Sequence, residues 1–281
     1  MSFVVDRREF LRATAAGVAA LAVPSVLPAA DAKDPYLGFK MGIQSYSLRG
    51  FKAEPALEHT RALGLKYWES YRDHVPMTAV PKQIQDHKDL IGKYGVTLIG
   101  YGVVPFDEKE NAARDLFEFA KAMGIRSLSA DPKPDKATFD LLDKLVAEYD
   151  VAIAIHNHGP GHRYDKISDV EQVVKDRHPK IGACVDTGHY LRSDEDPVEA
   201  VQRLGKRVFG CHLKDVKSLP DGKKQFKIAG EGDLNVVALL KALKALNFDY
   251  CLAVEYEENA KNPLPDIEAC LKHVRECAAK V

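Results

Sequence analysis

Four segments in the second half of the chain end in residue types that bind metals and move protons. Residues 151–156 (VAIAIH) run on into Asn157-His158, and 181–186 (IGACVD) end in Asp186, with His189 three positions beyond. Residues 208–213 (VFGCHL) carry His212 and lead into Lys214-Asp215, and 250–255 (YCLAVE) end in Glu255, followed by Tyr256-Glu257. An earlier segment, 65–69 (LKYWE), ends in Glu69. Imidazole and carboxylate together suit a divalent first-row metal, whereas calcium prefers all-oxygen ligands and structural zinc prefers thiolates. A lone histidine is more often a core residue bonded to a carbonyl. Four consecutive segments with the same kind of ending point to a metal site. Such a site takes a hydroxy-ketone or vicinal diol, and a carboxylate or histidine beside it can remove a proton next to the carbonyl. The resulting enediolate is reprotonated in isomerisation or epimerisation, or loses a β-substituent in elimination.

These residues must be brought together by elements that converge at one end. From Lys40 onward short apolar runs at 41–46, 65–69, 96–101, 125–129, 151–156, 181–186, 208–213 and 250–255 read as buried strands. Helix-period runs lie between them, among them 109–123, 137–149, 167–176, 196–204, 234–246 and 264–279, and Gly64, Gly95 and Gly124 sit where a helix turns back towards a strand. Eight such units predict a single-domain α/β fold, the (β/α)8 or TIM barrel, in which every strand C-terminus opens on one face. A doubly wound sheet would call for a glycine-rich phosphate turn after an early strand, and Ser45-Tyr46-Ser47-Leu48-Arg49-Gly50 is not one. The stretch 216–225 reads as a lysine-rich solvated excursion, and Asp233 as the N-cap of the helix that follows.

The segments AIHNHG (154–159), CVDTGH (184–189), CHLKD (211–215), GEGD (230–233) and AVEYE (253–257) resemble those of the xylose-isomerase-like barrels, a family of sugar isomerases, epimerases and endonuclease IV relatives. The resemblance covers nearly everything after Lys40. It implies one divalent ion (Mn, Co, Zn, Fe or Mg) held at the ends of strands five to eight, with Asp186, His212 and Glu255 as ligands and His189 as a substrate contact. The family's first ligand is a glutamate in an Ala-Leu-Glu-Asn-His context; here His156 stands in its place, with His158 as the alternative ligand or the base. In the ketose 3-epimerases that glutamate and the strand-eight glutamate form a two-base pair, so the histidine replaces half of it. The resemblance implies an isomerase or epimerase acting on a small sugar or sugar derivative. A lyase acting on a keto-glycoside is the alternative, and a non-catalytic sugar-binding barrel or an endonuclease-like hydrolase are lesser ones. Catalytic candidates are His156, His158, His189, Lys214 and Glu255. Substrate-binding candidates are Glu69, Tyr101, His189 and Glu257, with Tyr46, Tyr71 and Tyr101 as sugar-stacking walls. Lys214 stabilises an enolate or pairs with Asp215, Asn157 braces a ligand, and Trp68 packs outside the barrel.

Bulk properties narrow the partners. A formal net charge of -1 without a long basic run offers nothing to nucleic acid. The N-terminus carries Arg7-Arg8, an alanine-rich apolar run and Ala29-Ala30-Asp31-Ala32. That pattern is a twin-arginine export signal over 1–32, too short and alanine-rich to span a membrane, leaving 33–281 as the barrel in the periplasm or outside the cell. The five cysteines have no CxxC spacing and are expected to stay free. A homo-oligomer is compatible with the sequence.

Overall fold

Continuous apolar runs can form a stable sheet only where both faces are covered, and a barrel ringed by helices covers them. In the computed structural model, which describes residues 34–281, eight strands close into a parallel barrel. They are β1 (Lys40–Gln44), β2 (Tyr67–Ser70), β3 (Thr97–Phe106), β4 (Ser127–Pro132), β5 (Ala152–His156), β6 (Ile181–Asp186), β7 (Val208–Leu213) and β10 (Cys251–Val254). Neighbours follow chain order, and β10 closes the ring on β1 with Met41 opposite Leu252. Between β7 and β10 lies an antiparallel hairpin, β8 (Asp215–Ser218) and β9 (Lys224–Lys227). The expected TIM barrel is the observed fold. The export-signal reading lies outside the described residues, and among those described no helix is long and apolar enough to cross a membrane.

The helices are α1 (Ala53–Ala62), α2 (Pro81–Lys93), α3 (Glu110–Met123), α4 (Lys136–Tyr149), α5 (Ile167–Val174), α6 (Thr187–Arg192), α7 (Pro197–Leu204), α8 (Val236–Ala245) and α9 (Leu264–Ala278). Gly64, Gly95 and Gly124 all adopt the left-handed conformation (φ 75°, 65° and 78°), the turn from helix to strand that a side chain would strain.

Alternation along the strands sorts the side chains into two layers. Ile153, Ile155, Val185, Leu213, Leu252 and Val254 join the main core between barrel and helices. The inward face forms two small separate clusters, Ala152, Ala154, Cys184 and Phe209 in one and Ile99, Cys251 and Ala253 in the other, Phe209 lying where β7 shifts register against β6. These inward residues are mostly small, so the barrel axis is filled low down without bulk. Continuing inward to the strand ends gives His156, Asp186 and Glu255, and, past the register shift after Val208, His212. Trp68 takes the outward parity, buried and stacked on His74 with centroids 5.5 Å apart, as expected of it. All five cysteines are buried and free.

The segment read as a solvated excursion is the β8–β9 hairpin, largely exposed over 217–225 and anchored at its base. The buried carboxylate of Asp215 accepts hydrogen bonds from the amides of Val216, Gly230, Gly232 and Leu234 at 2.8–3.0 Å, which folds the loop after the hairpin back onto β8. Asp215 is therefore a loop organiser and not the partner of Lys214. Asp233 is likewise not the helix cap. Its carboxylate takes the Ser218 amide at 2.7 Å and the Lys217 ammonium at 2.6 Å, and α8 is capped by Asn235.

Candidate metal-binding active site

Strand pairing sets Asp186 directly opposite His212, and Ala253, two residues before Glu255, is also paired with His212. The three inward side chains and His156 thus meet at the C-terminal mouth, where one ligand atom from each lies within 4.8 Å of the others. His156 Nε2 is 3.0 Å from His212 Nδ1 and 3.4 Å from Asp186 Oδ2, and His212 Nδ1 is 3.2 Å from Glu255 Oε2. Of the two histidines considered for the first position, the ring that joins this cluster is His156.

The donor set fits a divalent ion. Asp186 Oδ2 and Glu255 Oε2 are buried without a hydrogen-bond donor in bonding geometry, although the Lys214 ammonium lies 3.0 and 2.8 Å from them. Electron pairs from two imidazoles and two carboxylates converge on one small volume, an arrangement that demands positive charge. Protonation equilibria reflect the same demand. Burial opposes the cation of His212, yet its neighbours, the Glu69 and Glu255 carboxylates among them, push its pKa well up. Burial likewise disfavours the Glu255 carboxylate, but Lys214 and His212 outweigh it and bring the pKa down to about 2. His156 goes the other way: burial, aided by His212 and His158, pulls it down to about 3 despite Asp186.

A supporting layer holds the ligands. Glu69 accepts from His212 Nε2 at 2.9 Å and from Gln44 Nε2 at 2.9 Å. This fixes the His212 proton on Nε2 and turns Nδ1 towards the cluster, the usual support for a ligating histidine. Asn157 grips the Asp186 backbone from both sides, donating to its carbonyl at 3.0 Å and accepting its amide at 2.8 Å. Asp186 itself divides its oxygens: Oδ1 accepts the His189 amide at 2.7 Å and caps α6, leaving Oδ2 for the cluster. Thr187 Oγ1 donates to the Lys214 carbonyl at 2.6 Å and ties the end of β6 to that of β7.

Above the cluster opens a cavity of about 430 Å³. One half is polar, lined by His156, His158, His189, Lys214, Glu255 and Glu257; the other carries Gln44, Tyr46, Tyr71, Arg72, Gly102 and Val103. Tyr46 and Val103 remain 39% and 40% exposed there, an apolar edge beside a charged floor. His158 faces the cavity, with Nδ1 buried and unpartnered, and burial followed by the nearby His162 holds its pKa below the ordinary histidine value. Lys214 is ion-paired with Asp186, Glu255 and Glu257; burial alone would lower its pKa, but these three carboxylates push it up, so it is a fixed cation.

Two of the expected substrate contacts are placed elsewhere. Tyr101 points outward because β3 shifts register against β2 after Leu98: its hydroxyl donates to the Val75 carbonyl at 3.0 Å and its ring meets Phe119, so it forms no cavity wall. Glu69 sits beneath His212 and does not reach the cavity. Contributors that went unseen in the sequence include Gln44, Gly102, Val103, Arg192 and Phe226. Arg192 donates to His189, and Phe226 of β9 lies against His189, Arg192 and Lys214. The only signal for Phe226 was an aromatic residue inside a lysine-rich loop.

Known proteins resemble this chain at several levels. It is 26% identical over 155 residues to an inosose dehydratase of Clostridium tetani, a match covering 49% of this chain and 52% of that protein. The chain thus spans about half the length of the curated relatives it matches. Its fold superposes on a D-psicose 3-epimerase of Clostridium cellulolyticum solved with D-tagatose, with a TM-score of 0.67, 15% identity and coverage of 85% and 99% of the two chains. It also superposes on an IOLI protein with a bound zinc atom, with a TM-score of 0.66, 19% identity and coverage of 85% and 98%. The family model of the xylose isomerase-like TIM barrel matches residues 57–277, and the chain belongs to that family.

Proposed function

We propose that the protein is a metal-dependent lyase that removes a proton next to the carbonyl of a keto sugar or keto-glycoside and expels the substituent on the β-carbon. The observation that carries this reading is the make-up of the pocket floor, where His156 replaces one of the two carboxylates that a symmetrical two-base epimerisation uses. His156 is buried against His212 and Asp186 and stays neutral, so it serves as a ligand and not as a base. His156, Asp186, His212 and Glu255 would hold a divalent ion, which when bound polarises the substrate carbonyl and acidifies the adjacent C–H. His158, neutral and facing the cavity, takes the proton from carbon. The electron pair of that C–H bond passes through an enediolate, with charge on the carbonyl oxygen, and then forms the new C=C bond to the β-carbon as the β-substituent leaves with its own bonding pair. The His158 imidazolium then returns its proton to the departing oxygen, so water or an alcohol is released. Negative charge that builds on the carbonyl oxygen meanwhile faces the Lys214 ammonium. The leaving group occupies the Tyr46, Tyr71 and Val103 half of the cavity. The dehydratase relatives support elimination over the isomerase or epimerase expected from sequence, although their identity is low.

Isomerisation is the second reading, favoured by Glu255, a carboxylate that also faces the cavity. NMR in D2O separates the two. The full chain is loaded with Mn, Co or Zn in turn and incubated with an inosose, 3-keto-glucosides and simple ketoses. An unsaturated product, with or without deuterium, establishes the lyase; deuterium beside the carbonyl of a rearranged sugar establishes the isomerase; neither product nor exchange with any substrate refutes both. We further propose export by the twin-arginine route, from Arg7-Arg8 and the alanine-rich run that follows. Replacing both arginines by lysine should keep the chain in the cytoplasm of a bacterial host; unchanged export would refute it.

A further inference from the structure

We infer that Arg192 is a positioning residue that makes His189 a hydrogen-bond donor to a substrate oxygen. The inference deepens the enediolate reading above and rests on it for the identity of that oxygen. Arg192 Nη1 lies 3.0 Å from His189 Nδ1. A guanidinium has five N–H donors and no acceptor, and it is never deprotonated in a protein. Nδ1 must therefore present its lone pair, and the single ring proton sits on Nε2. The two residues are three apart on α6, neighbours on one helix face. His189 lines the cavity, whereas Arg192 does not. The bonded nitrogen thus faces away, and Nε2–H is left for the ligand.

Independent elements hold the guanidinium in this place. Its Cζ lies 5.5 Å from the Phe226 ring centroid on β9, a cation–π contact. On another side Gly159 leaves the room: a Cβ there would come within 2.7 Å of Arg192 Cζ. The His189 backbone is itself pinned by its amide bond to Asp186 Oδ1. A histidine whose free nitrogen already carries the proton cannot act as the base. It can donate to an oxygen lone pair, and it does so more strongly as that oxygen gains negative charge. His189 and Lys214, both under Phe226, are then the two donors for the oxyanion of the enediolate, and proton abstraction is left to another group.

Long-range 1H–15N NMR on the zinc-loaded full chain, labelled with ring-15N histidine, reads the tautomer directly, with His189 assigned by its loss in His189→Asn. The expected spectrum shows Nε2 protonated and Nδ1 bare but hydrogen-bonded. Arg192→Met should move the Nδ1 resonance towards that of an unbonded nitrogen and lower kcat/KM by about tenfold or more, the worth of a charged hydrogen bond. Arg192→Lys, which still donates, should restore part of both. Gly159→Ala, which crowds the guanidinium without altering it, should shift Nδ1 in the same direction as Arg192→Met. A protonated Nδ1 in the wild type, or an Nδ1 resonance unmoved by Arg192→Met in a folded protein, overturns the inference. The tautomer is read without turnover, so a protein that lacks lyase activity but shows the expected spectrum would overturn the reaction and not the role of Arg192.

Discussion

Glu69 offers a way to weaken the proposed metal site from behind, because its carboxylate touches His212 and Gln44 but not the cavity. It is 1% exposed, and one oxygen, Oε1, accepts both from His212 Nε2 and from Gln44 Nε2 at 2.9 Å. Its consequence for binding is orientation, since the proton it fixes on Nε2 leaves Nδ1 aimed at His156 and Glu255 at 3.0 and 3.2 Å. Partners of this kind are worth about 10–100-fold in metal affinity, or about 1.4–2.8 kcal/mol. Glu69→Gln keeps an acceptor oxygen of nearly the same shape and removes only the charge, so about a tenfold loss is expected. Glu69→Ala removes the acceptor as well and should lose about a hundredfold. It also leaves Gln44 Nε2 with only its 3.4 Å contact to the Gly102 carbonyl and opens a void beside it, at a cost of about 1–3 kcal/mol in stability. The assay is competition for zinc between the metal-stripped full chain and a chromophoric chelator, with urea unfolding alongside to confirm folding. A folded Glu69→Ala protein that binds zinc as tightly as wild type would refute the reasoning, since His212 would then owe nothing to Glu69 or would not be a ligand.

Metal content measured by mass spectrometry should fall to background in Asp186→Ala, His212→Ala and Glu255→Ala; retention of wild-type content in all three sinks the site assignment. Tyr101→Phe should leave kcat/KM unchanged and cost about 1 kcal/mol of stability, the worth of its bond to the Val75 carbonyl. A raised KM in that variant would put Tyr101 back in the substrate site. His74 is buried against Trp68 and held neutral, since burial lowers its pKa below the ordinary histidine value despite the bond to Phe51. The unfolded chain binds that proton at a higher pH than the folded one, so this share of stability is present above about pH 6.5 and is lost as the pH falls through that value. Urea unfolding at pH 7 and pH 5 should therefore show a smaller loss on acidification for His74→Gln than for wild type; equal losses would remove His74 from the account.

The barrel was readable because its strands are buried on both faces, so each appears as an unbroken apolar run, and because the ligands stand at the last inward position of four such runs. Tyr101 was misread for a reason of parity. The pairing of β3 shifts register against β2 near Glu69 and against β4 between Tyr101 and Val104. The strand also runs on to Phe106, well past the expected end. A residue that looked like a strand terminus is therefore mid-strand and turned outward, and Gly102 and Val103 reach the cavity instead. Arg192 and Phe226 escaped notice because nothing in a surface-like helix end or a lysine-rich loop announces that the two side chains stack. That depends on Asp215 gathering four amides from residues up to 19 positions away, a tertiary event invisible to periodicity.

The imidazole at position 156 lowers the negative charge of the site. The cluster and its rim hold the carboxylates of Asp186, Glu255 and Glu257 against one buried ammonium, Lys214, with Glu69 below His212. A further carboxylate at 156 would stand where Nε2 is now, 3.4 Å from Asp186 Oδ2, and like charges at such range in a buried site are costly unless a cation lies between them. A neutral imidazole supplies a ligand without that repulsion. The same economy bears on chemistry. With Glu255 drawn to about 2 by Lys214 and His212, and His156 drawn to about 3 by burial, these two residues are poor bases near neutral pH. In the proposed reaction proton transfer therefore falls to His158, which lies outside the ligand cluster and lines the cavity. One base on one side of the substrate can carry a proton from carbon to a leaving oxygen on that same side, whereas epimerisation needs a second base on the other. The Lys214 cation, the neutral His156 and the lone His158 together therefore favour elimination.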